Sequence, residues 1–112
     1  MKIIEEIILE HLNKNLCVPV FMEVPENAPN EYAVIEKTGS GNENGIYCAT
    51  VAVKSCAKSL YRAAVINECV KSVMSDMIAR DDISAVELNS DYNFTDTATK
   101  QYRYQAVFDI YY

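Results

Sequence analysis

An α+β domain is what this sequence predicts, with element order α-β-β-β-α-β-β and a mostly antiparallel sheet carrying a long helix on one face. Three observations predict it. Ile46–Ser55 alternates in side-chain character and then gives way, from about Lys58, to a run in which Ala63, Ile66, Val70, Val73 and Met77 share one stripe. A strand repeats every two residues and a helix every 3.6, so this change of period marks one strand feeding one long helix that ends near Met77. The C-terminal segment alternates without a break. Tyr102, Tyr104, Ala106, Phe108, Ile110 and Tyr112 fall on one face, and Gln101, Arg103, Gln105, Val107, Asp109 and Tyr111 on the other. Finally, the apparent strands follow one another through short polar connections, which favours antiparallel neighbours over crossovers.

Taken in order, Ile3, Ile4, Ile7, Ile8 and Leu12 recur at helical spacing, with Lys2, Glu5, Glu6, Glu10 and Asn13 turned away, and the pattern ends around Asn13 to Asn15. The one histidine, His11, falls on the flank of this helix. Val18–Val24 reads as a strand with Pro19 near its start and Pro25 closing it. After the loop Pro25–Asn30, Tyr32–Thr38 reads as a second strand. Gly39, Ser40, Gly41, Asn42, Glu43, Asn44 and Gly45 hold all three glycines and no apolar side chain, so a mobile hairpin loop is expected there. The strand Ile46–Ser55 and the long helix follow, with Ser55 or Ser59 as the candidate cap. Flanking the helical stripe are Cys69 and Met74. Arg80–Asp82 makes a polar turn, Ile83–Asn89 a further strand of uncertain register, and Ser90–Lys100 a polar stretch broken by Tyr92 and Phe94.

The chain has 112 residues, half of them hydrophobic, which is the size of a single domain (residues 1–112) with its own core. No apolar run approaches the ~18 residues of a membrane span, and Glu5, Glu6 and Glu10 interrupt the N-terminal segment. A soluble, cytoplasmic protein with no membrane partner is expected. The net charge of -6 is spread over both halves, and phosphate backbones are held by clustered Lys and Arg, so no direct nucleic-acid partner is expected either. Cys17, Cys48, Cys56 and Cys69 form no C-x-x-C pair, and His11 is the only imidazole; free thiols and no metal or cofactor are the expectation. Asp81–Asp82 reads as a helix-ending turn, and Asp91 with Asp96 as a solvated loop. Glu36 and Lys37 are candidates for a cross-strand ion pair. No nucleophile stands with a base and an orienting acid in any recognisable pattern, so no catalytic residue is assigned.

One string is more specific. Val18-Pro-Val-Phe-Met-Glu-Val-Pro25, continuing to Tyr32-Ala-Val-Ile-Glu-Lys-Thr-Gly39, then a loop, the strand Ala49–Ser55, a long helix and two final strands, resembles the small tail-completion proteins of siphophages and prophages: tail terminators, also called tail-to-head joining proteins. The likeness covers nearly the whole chain in element order and length. It implies a non-enzymatic virion-assembly protein, made in the bacterial host cytoplasm and carried in the virion tail. Such a protein forms a homo-oligomeric ring, with a hexamer among the stoichiometries to test, at the end of the tail tube. Its partners would be itself, the tail tube protein and the head-connector proteins.

Eight tyrosines and no tryptophan add an interface signal, since tyrosine buries much area with few rotors. Arg103 and Tyr111, on the outward face of a last strand read as a sheet edge, are therefore candidate contacts, together with the loop Gly39–Gly45. Alternatives of other classes stay open. A small ligand-binding or regulatory module would require an apolar pocket with convergent polar groups. Another head-tail adaptor, a minor tail protein, or a thiol enzyme using Cys56 or Cys17 are the others.

Overall fold

The computed structural model describes residues 3–112, the side chain of Glu43 excepted, so Lys2 lies outside the described residues. The elements are helix α1 (Ile4–Asn15), strands β1 (Val20–Phe21), β2 (Tyr32–Glu43) and β3 (Ile46–Ala57), helix α2 (Leu60–Ser75), and strands β4 (Ala85–Asn93) and β5 (Tyr102–Tyr111). The order is the one the sequence predicts, and the fold is α+β. One five-stranded sheet runs β1-β2-β3-β5-β4, antiparallel throughout except for β1, which lies parallel to β2. Strand β5 is therefore internal, lying between β3 and β4, and is not the edge expected of it. The chain leaves β3, crosses through α2 to β4 at the rim, and returns to fill the gap with β5, a split β-α-β arrangement.

Both helices cover the sheet face that carries Ala33, Ile35, Val51, Val53, Ala106, Phe108 and Ile110, all buried. Helix α2 contributes Ala63, Ile66, Val70 and Met74, and Met77 follows in a single 3-10 turn (Asp76–Ala79) that ends the helical run. Ser59, not Ser55, is the cap, its hydroxyl accepting from the Arg62 N–H at 3.2 Å. Ser55 lies buried in β3. Among the stripe residues Asn67 is buried as well, and its Nδ2 donates to Asp91 Oδ2 at 3.0 Å, where Lys71 Nζ also donates. Asp91 is thus a clamp between α2 and β4 rather than part of a solvated loop.

Helix α1 buries Ile4, Ile7, Ile8 and Leu12, as its spacing predicts, while Ile3 is left exposed as the residue before the helix. Three polar residues of α1 make contacts that the spacing does not show. His11 is buried and its Nε2–H donates to the Val73 carbonyl at 2.8 Å, tying α1 to α2. Glu5 lies 3.6 Å from Lys37. The Asn13 amide exchanges two bonds with Val20, donating to its carbonyl at 3.2 Å and accepting from its N–H at 3.0 Å, as a neighbouring strand would. This local substitute for a strand is one reason the predicted Val18–Val24 strand contracts to two residues.

Candidate assembly surface

The segment expected to be a mobile loop is instead strand. Gly39–Glu43 continue β2 and pair with Ile46–Thr50 of β3, and the reversal is confined to Asn44 (φ 54°) and Gly45 (φ 83°). Positive φ at both central residues is the mark of the two-residue type I′ turn, whose twist matches that of the strands it joins, and Asn-Gly is its preferred sequence. The register slips by one residue between Lys37 and Gly39, a bulge that leaves Thr38 unpaired in the ladder. Two 12-residue strands make an arm that accounts for the elongated shape, 44 × 24 × 23 Å.

Among the described residues, no helix or further strand covers the sheet face away from the helices. Its centre is closed by Val34 and Ala52, both buried, with Glu36 and Lys54 ion-paired at 3.1 Å beside them. Glu36 and Lys37 point to opposite faces, so they make no pair with each other; their partners are Lys54 and Glu5. Further along, Thr50 Oγ1 donates to Asp109 Oδ1 at 2.9 Å and Asn89 Nδ2 to Asp109 Oδ2 at 3.0 Å, linking β3, β5 and β4.

The predicted contact residues fall into two places. At the arm's end, Gly41, Asn42 and Asn44 converge with Tyr111, Ile46 and Cys48 around a groove of about 460 Å³. On the opposite face of the sheet Tyr47 and Tyr112 stack with centroids 5.8 Å apart. The Tyr111 hydroxyl titrates above its ordinary value, chiefly because of the adjoining Cys48 and then Glu87. Arg103 lies elsewhere. It pairs with Cys56 and Tyr111 with Cys48, eight residues apart along β3, or roughly 26 Å at strand rise. Its Nε donates to the Phe94 carbonyl at 2.8 Å and its guanidinium lies 4.7 Å from the Phe94 ring centroid, with Lys54 Nζ at 5.7 Å. Arg103 is engaged within the chain, and with Phe94, Lys54 and Tyr32 makes a second, aromatic end.

Tyr111 was a candidate from the sequence, whereas Ile46 and Cys48, which line the same groove, were not. Their parity within β3 was the available signal, since even-numbered positions there alternate with the buried Ala49, Val51 and Val53. Of the cysteines Cys17 is exposed and the other three are half-buried, all free. Burial pushes the Cys56 thiol up, the opposite of the lowered value a nucleophilic thiolate needs. Among the described residues no helix is long and apolar enough to cross a membrane. No family model matches the chain, and no curated protein matches it in sequence.

Proposed function

We propose that the chain is a virion-assembly protein of the tail-terminator kind, a homo-oligomeric ring that caps a phage or prophage tail tube and offers a docking surface to the head connector. The observation that carries this reading is the β2–β3 arm. Its distal residues from Glu36 to Asn42 are all exposed and bury no apolar side chain in the chain's own core, yet they are held in register strand to the tip. Ordered backbone loses about 1–2 kcal/mol of entropy per residue; the β3 half of the arm offsets this by burying Ala49, Val51 and Ala52, whereas the β2 half buries nothing apolar, which favours contacts outside the chain. The likeness of the Val18–Gly39 string to tail-completion proteins supplies the biological setting. Electron microscopy of particles from a strain lacking the gene tests it: overlong tails, or separate heads and tails, support the reading, and normal virions refute it.

A ligand-binding module is the second reading, favoured by the groove at Ile46, Cys48 and Tyr111. It requires that a small apolar molecule protect Cys48 from alkylation, a result the ring reading does not produce in the isolated chain.

A further inference from the structure

Among the described residues the hydrogen-bond pattern leaves two strand edges unpaired, on opposite sides of the sheet. Strand β4 is outermost along its whole length. On the other side β1 pairs with β2 only at Ala33 and Val34, and the Asn13 amide closes β1 itself, so the edge of β2 opens beyond that point. The pairing fixes which groups face outward. Tyr47 exchanges both backbone bonds with Tyr112, at 3.1 and 2.9 Å, and so directs its backbone toward β5. Its β2 partner Asn42 therefore points its N–H and C=O outward, and so does Ser40 two residues back. On β4, the Phe94 N–H donates inward to the Arg103 carbonyl at 2.9 Å, which turns the Asn93 backbone outward. Glu87 opposite Asp109 is likewise inward, which turns Val86 and Leu88 outward.

We propose that a second copy of this chain lays its β4 edge antiparallel along β2 between Lys37 and Glu43, continuing the sheet from one subunit into the next. This rests on the self-association in the reading above. Strand direction favours it. Successive antiparallel pairings from β2 through β3 and β5 leave β4 running opposite to β2. A copy rotated about an axis along the strands thus presents β4 in the antiparallel sense with its helices on the same side. Such a head-to-tail contact repeats with each copy and leaves no open edge once the ring closes.

The glycines favour it independently. Gly39 and Gly41 have ordinary φ, and a Cβ built on either meets nothing within 4 Å, so neither turn geometry nor internal packing calls for glycine. Glycine inside a strand marks a bulge or close approach by another backbone; Gly39 adjoins the bulge at Thr38, so it is Gly41 that carries this argument. Tyr92 of β4, opposite Gln105, lies on the same sheet face as Gly39 and Gly41 and stands 42% exposed, and bare backbone on the adjoining strand makes room for such a side chain. Lys37, the residue type that guards edges, is drawn aside to Glu5.

Ser40→Pro tests the edge. It removes an outward N–H and blocks strand addition while sacrificing no internal bond, and Ser40→Ala controls for the side chain. Sedimentation over a concentration series, with and without tail tubes, is the readout, paired with amide exchange on the wild-type chain. The expected result is self-association in wild type and Ser40→Ala and its loss in Ser40→Pro, with Ser40, Asn42 and Leu88 amides protected only in the assembled state. Assembly of Ser40→Pro like wild type, or unprotected Ser40 and Asn42 amides in assembled wild type, overturns edge pairing and leaves the ring reading standing. A wild-type chain that stays monomeric throughout overturns both. Should Ser40→Pro fail to fold, the wild-type exchange pattern decides alone.

Discussion

Shortening the arm by two rungs separates what it does for the fold from what it does outside it. Deleting Asn42-Glu43 and Ile46-Tyr47 joins Gly41 to Asn44 and Gly45 to Cys48. The Asn44–Gly45 turn is kept, and Gly41–Cys48 becomes the closing pair in place of Glu43–Ile46. Two residues leave each strand, so every remaining side chain keeps its face. The losses can be summed. The Tyr47–Tyr112 stack contributes about 0.5–1.5 kcal/mol, and the two backbone bonds between these residues about 0.5–1.5 kcal/mol each. Ile46 and Tyr47 are 54% and 50% exposed, so little of their apolar area is at stake. Against this, four fewer residues need ordering, at about 1–2 kcal/mol each. The losses come to about 1.5–4.5 kcal/mol and the ordering no longer needed to about 4–8 kcal/mol, so the shortened chain should be no less stable than wild type. Urea denaturation followed by circular dichroism measures this, and sedimentation measures assembly on the same sample. Undiminished stability with lost assembly is expected. A loss of stability of about 4 kcal/mol or more, the scale of a large core truncation, would refute the reasoning by showing that the arm's end belongs to the core.

Three other outcomes follow from particular residues. Phe108→Ala, at a ring 2% exposed under α2, should destabilise the chain by about 3–5 kcal/mol in urea titrations, and a smaller loss would mean the helix resettles on the sheet. Gly45→Ala forces a Cβ onto φ 83° and should cost about 1–2 kcal/mol, whereas Gly39→Ala and Gly41→Ala should leave melting unchanged or slightly raised while weakening assembly. Arg62 donates to Glu31 at 2.8 Å and holds its carboxyl below the usual glutamate range. The pairing stabilises the fold at pH values above the ordinary glutamate value and is lost as pH falls through the lowered one. A carboxyl NMR titration should show Glu31 shifted to lower pH in wild type and restored to the ordinary range in Arg62→Gln.

The parts of the fold legible in the sequence were those governed by period. The alternation of β5 and most of the α2 stripe are local consequences of which side chains recur and where, although Met74 takes the buried place expected of Val73, and the choice of Ser59 over Ser55 as the cap came only from the structure. What was not legible depends on partners distant in the chain. Asn67 looks out of place on an apolar stripe until Asp91, 24 residues on, supplies its bond. The interior position of β5 is set by a crossover, and no local pattern encodes strand order. Strand β4 runs four residues past its expected end because the register shift between Leu88 and Ser90 accommodates the broken alternation. The arm is different, since its signal was present: glycine and polar content suggested a loop, but Asn44-Gly45 between two β-compatible runs is a hairpin turn, and cross-strand hydrogen bonds outweigh the weak propensity of Gly39 and Gly41. For the candidate contacts, the pairing of Tyr111 with the arm follows from β3–β5 register, which sequence does not display, and the same register carries Arg103 to the other end.

Charge bears on how such copies can meet. Each carries -6, and the basic side chains available to offset a neighbour's acids are largely committed within the chain. Lys37 faces Glu5, Lys54 faces Glu36, Arg62 faces Glu31, Lys71 bridges Glu68 and Asp91, Arg80 faces Asp82, and Arg103 lies over Phe94. That accounts for six of the ten Lys and Arg residues. Association through opposed charge patches would have to break some of these pairs, and the acidic surplus on both sides would oppose it at low ionic strength. Backbone N–H and C=O groups carry no net charge, and strand addition engages them without requiring any of these ion pairs to break. Self-association by the sheet edge should therefore strengthen as salt rises, because screening removes the repulsion and leaves the hydrogen bonds and buried apolar contacts in place. Contact through ion pairs would weaken under the same change, so the direction of the salt dependence distinguishes the two.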